Sequence, residues 1–445
     1  MVDSINNAAI QQNALYVIQR LREMGYEAFW VGGCVRDMLM GIPPKDIDVA
    51  TNAPPHSIAG IFPETRHVGA KFGVVIVLHG DSQIETATFR SDDVYEDHRH
   101  PRSVTFSTAQ KDALRRDFTI NALFYDPVKE KVLDYVGGMS DLHDKIIRAV
   151  GEPEQRFKED ALRMLRAVRF AARFRFTIET QTWTAIPKNV SLINEISPDR
   201  IRDELIAMFT NDGAGNALQL LDQSGLLHQI LPEVEDMKGI PQPEEFHPEG
   251  DVFDHTVLAL EQLHNPSTTL AFGILLHDVG KPPTYRVADR IRFDLHDKIG
   301  SEIADVICRR LNFSNKDRQQ IVALVKRHMQ FLNIANMRPA TLRRFMSGET
   351  FEEDLELHRI DCLASHQDLA NYEFCLQQYR ELKESEGAII PPPLITGNDL
   401  LQEGYKPGPL YSTILDAVAE QQLEGSLTSK EAALSWVKEH FSPTE

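Results

Sequence analysis

The chain has 445 residues, of which 42% are hydrophobic and 25% charged, and carries a formal net charge of −19. Such a composition is ordinary for a water-soluble protein of about two to four domains and excludes a disordered or fibrous chain. No apolar run approaches a membrane span, no basic-then-apolar signal pattern opens the chain, and four scattered cysteines (Cys34, Cys308, Cys362, Cys375) form neither a metal spacing nor a disulfide framework. The expected setting is the cytoplasm, with no membrane partner.

Residues 8–24 read as a helix, with Ala14, Val17, Ile18 and Leu21 at helical spacing. From about 26 to 136 short strands dominate (AFWV, DIDVAT, VVIVL, IETATFR, TINALFYD, KVLDYV), so a mixed α/β head domain is expected over 1–146. AFWV runs into Gly32-Gly33 and a helix. Glycines at that point let backbone N–H groups approach a phosphate, and Arg36 on the first turn could add a charge-assisted bond. Asp46 and Asp48 then alternate along an extended segment, so both carboxylates project from one face while Ile47 and Val49 face a core. Paired carboxylates suit a hard cation such as Mg2+, and nucleotidyl transfer often uses two such ions. A glycine pair before a helix is usually a plain turn, and a lone Asp-x-Asp is often a solvated strand edge. Their order within about twenty residues favours a triphosphate and metal cradle. Glu85, on a neighbouring strand, is expected to be structural, with a third metal carboxylate as the alternative.

Asp92 to Ser107 is polar and aperiodic, and reads as a loop. RRDFTINA (Arg115–Ala122) follows, an Arg pair beside an Asp that could grip a triphosphate and a ribose hydroxyl; standing alone it would read as a surface ion pair. From Ile146 onward strand character gives way to amphipathic helices. Against the acidic total, which argues against a nucleic-acid partner, Arg148 to Phe176 holds eight basic residues and four acids. In EDALRMLRAVRFAARF (Glu159–Phe174) a helix would bury Leu162, Leu165, Val168 and Ala172. Asp160, Arg163, Arg166 and Arg169 would then drift around a neighbouring face. The plain reading is a salt-bridged amphipathic helix. The sharper one is that a carboxylate accepts from the exocyclic amino group shared by cytosine and adenine while Arg donates to ring acceptors. Guanine and uracil present the wrong pattern.

Further on come His255 in FDHT, His277-Asp278 in LLHDVGK, His296 in LHDKIG, His328 in VKRHM and Asp361 in RIDCLA. A single helical His is usually structural. Proline-containing breaks at 239–251 and 387–399 suggest a helical neck and body over 147–240, a second helical domain over 247–385 and a helical tail over 390–445.

The glycine pair with DIDVAT, RRDFTINA and ED-x-x-R resemble, in order, three motifs of the class II nucleotidyltransferases, the family of CCA-adding enzymes and bacterial poly(A) polymerases. The resemblance spans about residues 20–440. It implies that Asp46 and Asp48 are catalytic and hold magnesium, and that Gly32, Gly33, Arg36, Arg116, Asp117 and Asn121 meet the sugar and phosphates. Asp160 and Arg163 would select the base, with Arg166 and Arg169 reaching phosphates. The implied partners are CTP, ATP and a tRNA 3′ end. The His and Asp series resembles the HD phosphohydrolase superfamily, implying Mg2+ or a divalent transition metal on His255, His277, Asp278, His296, His328 and Asp361. The tail LITGNDLLQEGYKPGPL also resembles HD-containing members. HVGAKFG (67–73) is similar to the pattern of full CCA-adding enzymes rather than poly(A) polymerases, and DDVYEDHRHP (92–101) argues against CC-only addition. An A-only enzyme stays open, as does an HD hydrolase with a head that only binds RNA.

Overall fold

The computed structural model describes residues 2–66, 73–92, 104–245, 247–248 and 250–442. HVGAKFG, apart from Gly73, and DDVYEDHRHP, apart from the backbone of Asp92, lie outside the described residues. The chain forms two compact units, one of Met1–Glu235 with Arg310–Phe313 and the other of Asp236–Arg309 with Ser314–Glu445.

The first unit opens with α1 (Val2–Glu23), whose Ala14, Val17, Ile18 and Leu21 are fully buried. They share a core with Ala28, Val49, Val75 and Val77 of a seven-stranded mixed sheet. Its strands are β1 (Ala28–Val31), β2 (Asp48–Thr51), β3 (Thr65–Arg66), β4 (Val74–His79), β5 (Ser82–Thr88), β8 (Phe124–Asp126) and β9 (Lys131–Leu133). The order is β3-β4-β5-β2-β1-β8-β9, and β6 (Arg90–Asp92) pairs apart from it with β7 (Val104–Phe106). Val31 on β1 stands opposite Asp48, which sets the glycine turn after β1 beside the acidic strand. The parallel β2–β5 pairing puts Val49 opposite Thr86, and the same register brings Asp48 level with Glu85.

Between strands lie α2 (Gly33–Leu39), α3 (Pro55–Ile61), α4 (Ala109–Leu114) and α5 (Gly138–His143). Helices α6 (Pro153–Glu159), α7 (Leu162–Phe174), α8 (Thr180–Asn189), α9 (Pro198–Phe209), α10 (Ala214–Gln223), α11 (Leu226–Ile230) and α12 (Pro232–Glu235) complete the unit. Three local expectations change. β2 begins at Asp48, so Asp46 precedes the strand. TINALFYD is a strand only from Phe124, because residues 118–124 are buried without alternation and Thr119–Asn121 forms a 3-10 turn. Asp160 is not helical: it takes extended backbone (φ −149°, ψ 103°) at the break between α6 and α7. Strand character also persists past Ile146, in the short pair β10 (Ile146–Ile147) and β11 (Thr177–Ile178).

The second unit holds α13 (Val252–Glu261), α14 (Thr268–Leu276), α15 (Lys281–Thr284), a hairpin of β12 (Tyr285–Val287) and β13 (Ile291–Phe293), α16 (His296–Arg310) and α17 (Asn315–Arg327). It continues through α18 (Pro339–Met346), α19 (Phe351–Ala364), α20 (Ala370–Glu386), α21 (Gly397–Gln402), α22 (Pro409–Leu423) and α23 (Lys430–His440). α14 is apolar on every side and buried on every side, as its sequence TTLAFGILL requires. No helix among the described residues is long and apolar enough to cross a membrane.

Candidate active site

In the first unit a cavity of about 470 Å³ opens between the glycine turn, the RRD segment, α7 and α9. Among the described residues eight arginines line it (Arg36, Arg115, Arg116, Arg163, Arg166, Arg169, Arg173, Arg200) against three aspartates (Asp48, Asp117, Asp160), a cationic concavity in an acidic chain. Focused positive charge in a concave site draws a polyanion such as a triphosphate. Gly32, Gly33 and Asn121 line it too, so the structure gathers all the nucleotide-binding residues anticipated from the motifs, together with Asp48.

Gly32 caps α2 with φ +76°, a conformation that side-chain-bearing residues rarely adopt. A Cβ there would stand 3.1 Å from Arg116 Nη1, so the turn and that guanidinium are in near contact. Arg116 is itself anchored by Asp112 at 3.0 Å and lies over the Phe124 ring. Arg36 is more deeply engaged than a phosphate-seeking side chain on an open first turn. Only 4% exposed, it donates to Asn121 Oδ1 at 2.6 Å and to Asp37, and stacks on Phe170 and Phe174.

Asp48 and Glu85 stand level on the paired strands β2 and β5, with Asp46 just ahead of β2. Burial, then the Glu85 and Asp46 charges, push Asp48 up to about 7. Glu85 is raised by burial and then by the Asp46 charge, so it shares the electrostatic surroundings of that acidic strand. Its only sequence signal was its place on a strand neighbouring DIDVAT. Asp48 and Glu85, level across the β2–β5 pairing, are hard oxygen donors of the kind that magnesium takes.

The rest of the cavity wall is cross-linked. Asp117 accepts from Arg166 at 2.6 Å, from the Phe118 N–H at 2.7 Å and from Asn121 Nδ2 at 3.2 Å, and the arginine contact holds its carboxyl down at about 2. Glu204 on α9 pairs with Arg169 at 2.6 Å and Arg166 at 3.4 Å. Arg163 Nη1 donates to Glu159 and the Arg156 carbonyl, and its Nη2 to the Arg115 carbonyl. Those bonds orient the guanidinium, and among the described residues Nε and one Nη2 hydrogen are left without an acceptor. Arg200, Glu204 and Phe170 were not singled out from sequence, and Arg173 only as part of the basic stretch 148–176; the i, i+4 spacing of Arg200 and Glu204 on α9 was the available signal.

In the second unit five elements converge on a histidine and aspartate cluster. His255, His277 and Asp361 present ligand atoms within 4.8 Å of one another, as do Asp278, His296 and His328. His277 and Asp278 follow the buried α14 and are 1% and 2% exposed. Gly280 permits the convergence: a Cβ there would lie 2.1 Å from the His296 carbonyl and 2.5 Å from Gly300 N. His277, His296 and His328 each direct Nδ1 at a backbone carbonyl, of Ile274, Phe293 and Val325. A carbonyl only accepts, so Nδ1 carries the hydrogen and Nε2 is turned towards the cluster. His296 Nε2 and His328 Nε2 are 3.1 Å apart, and His255 Nε2 and His277 Nε2 3.3 Å. Burial depresses His296, and burial with the neighbouring imidazoles brings His328 to about 4, so both are neutral at pH 7. Facing lone pairs with carboxylates between them suit divalent metal ions. Lys281, absent from the anticipated set, bonds Asp278 at 2.6 Å and Gln242.

Residues 28–148 match the family model described as "Poly A polymerase head domain", residues 175–238 "Probable RNA and SrmB- binding site of polymerase A", and residues 295–437 a tRNA nucleotidyltransferase domain 2. The chain is 33% identical over 431 residues to a CCA-adding enzyme of Lactobacillus gasseri, covering 95% of each chain. It is 42% identical over 240 residues to poly(A) polymerase I of Salmonella typhi, covering 52% of this chain and 51% of that one. The crystal structure of the Bacillus stearothermophilus CCA-adding enzyme in complex with CTP aligns with a TM-score of 0.73 and 28% identity over 96% of each chain. The chain therefore belongs to the nucleotidyltransferase family that contains the CCA-adding enzymes.

Proposed function

We propose that this protein adds C, C and A to the 3′ end of tRNA without a nucleic-acid template, taking CTP and ATP as donors in the cytoplasm. The observation that carries the reading is the arginine-lined cavity joining the Gly32 turn, Asp48 and the Asp160–Arg163 pair. Full-length similarity to CCA-adding enzymes supports it. Asp46 and Asp48, with Glu85, would hold magnesium, which when bound supplies Lewis-acid activation of the attacking and leaving oxygens. The RNA 3′ oxygen attacks the α-phosphorus in line as the bond to the bridging oxygen breaks. Pyrophosphate leaves towards Gly33 and Arg116, with Arg36 bracing that wall through Asn121. Asp117 and Asn121 meet the ribose, and Arg166 and Arg169 meet phosphates. Asp160 accepts from the amino group of cytosine or adenine while Arg163 donates to the ring.

Primer extension tests this on tRNA transcripts ending before CCA, after C and after CC, with CTP and ATP singly and together. Completion of CCA on all three is expected. Addition of A to the CC-ended transcript alone would make the protein an A-adding enzyme, and long A tails on many RNAs a poly(A) polymerase.

The six-residue cluster of the second unit favours an additional activity, that of an HD-type metal-dependent phosphohydrolase. Removing a phosphate, or opening a cyclic phosphate, at a damaged RNA end would expose the 3′ hydroxyl that the transferase needs. A His277→Ala variant retaining all metal-dependent phosphatase activity would refute this.

A further inference from the structure

Asp160 stands on an irregular link between two helices, where nothing in its own backbone fixes the side chain. Two bonds do so. Its Oδ1 accepts from Leu162 N at 3.1 Å and its Oδ2 from Arg200 Nη2 at 2.7 Å. The two side chains are only about a fifth exposed, 22% for Arg200 and 19% for Asp160. Arg200 is rigidly mounted: α9 buries Ile201, Leu205, Met208 and Phe209, and one turn on its Glu204 grips Arg166 and Arg169 of α7. α9 thus presents a cation to the base-reading carboxylate and an anion to the arginines beside it.

We propose that Arg200 is a positioning residue for nucleotide selection. It holds the Asp160 carboxylate at one angle to the cavity, so that an amino group is accepted and a carbonyl is repelled. The proposal rests on the reading of Asp160 and Arg163 given above. A carboxylate carries about four acceptor sites, so the bonds to Leu162 and Arg200 leave capacity for an exocyclic amine while removing rotation. That loss of rotation is what rejects the wrong base. Uracil and guanine place a carbonyl oxygen where cytosine and adenine place the amine. Asp160 free to turn would swing away and admit them, whereas Asp160 held by Arg200 cannot avoid the repulsion. Discrimination here depends on the second bond as much as on the reading residue.

The test uses the full chain and four proteins: wild type, Arg200→Ala, Arg200→Lys and Asp160→Ala. Two quantities are measured: the ratio of kcat/KM for CTP to that for UTP on a tRNA transcript lacking CCA, and the Kd for inorganic tripolyphosphate, which has no base to read. For Arg200→Ala the ratio should fall at least about tenfold, as for loss of one directional contact, while the tripolyphosphate Kd, which loses one of the cavity's several cations, should rise by much less than the ratio falls. Arg200→Lys should recover part of the ratio. If Asp160→Ala loses discrimination and Arg200→Ala keeps it, the positioning role is overturned while the base-edge reading stands. If Asp160→Ala keeps discrimination, the base-edge reading itself fails. If Arg200→Ala weakens tripolyphosphate binding in step with the ratio, or raises only the KM for RNA, Arg200 is a structural or RNA-phosphate residue and the proposal is overturned.

Discussion

Asp117 in the RRD segment and Arg166 on α7, 49 residues apart in sequence, meet at 2.6 Å. The contact ties the segment that reaches from the head sheet to α7, the helix that carries Arg163. Both side chains are largely shielded, so the pair orients both groups in the cavity.

The pair makes stability depend on pH. Asp117 is held at about 2 against an ordinary 3.8 because Arg166 and the Phe118 N–H favour its charged form. A depressed carboxyl pKa contributes stability that is present above the unfolded value and is lost as pH falls through the folded one. The shift corresponds to about 2 kcal/mol. Asp117→Asn should therefore be less stable than wild type at neutral pH by about that amount. The gap should close as pH falls below about 4 towards 2. Urea midpoints of the two proteins across that range provide the measurement; a gap that does not change with pH would place the loss elsewhere.

The acidic end of the cavity should titrate with magnesium. Asp46→Ala and Asp48→Ala should each cut addition of both C and A by about a thousandfold or more. Glu85→Gln should cost about tenfold to a hundredfold and raise the magnesium concentration for half-maximal rate. Single-turnover extension across a magnesium series reads both effects. Wild-type rate and magnesium dependence in Glu85→Gln would return that residue to the structural role expected from sequence.

Gly32→Ala should weaken nucleotide binding without unfolding the chain. Alanine at φ +76° is strained, and its Cβ would press on Arg116 Nη1 at 3.1 Å. The expected cost is about 1 kcal/mol in stability together with a higher KM for both nucleotides. Thermal melts and CTP and ATP titrations of the same preparation separate the two.

In the second unit, elemental analysis after loading with manganese and gel filtration should find two ions on the histidine cluster. His255→Ala and His296→Ala should each lose one, since they fall in different ligand groups. Unchanged metal content in both variants would show that the imidazoles pack without binding an ion.

Several of these features were legible along the chain, because they depend on residues near one another. The glycine turn before α2, the Asp46 and Asp48 spacing, RRDFTINA and the α1 stripe are local patterns that backbone periodicity turns directly into geometry. Asp160 shows the limit even there. Its helical spacing with Arg163 was plain, yet the chain breaks between α6 and α7, where Asp160 leaves the helix and its carboxylate caps Leu162 N.

Tertiary packing decided the remainder. That Glu85 joins the acidic pair follows from a parallel strand register. That Arg200 holds Asp160, and Glu204 holds Arg166 and Arg169, follows from α9 lying against α7. That six His and Asp residues form two ligand groups follows from the close backbone approach at Gly280. Sequence by itself set which chemical groups this protein carries and the local turns that present them. The fold alone set which of those groups meet, because charges and lone pairs act over a few ångströms, and only packing brings residues far apart in the chain within that distance.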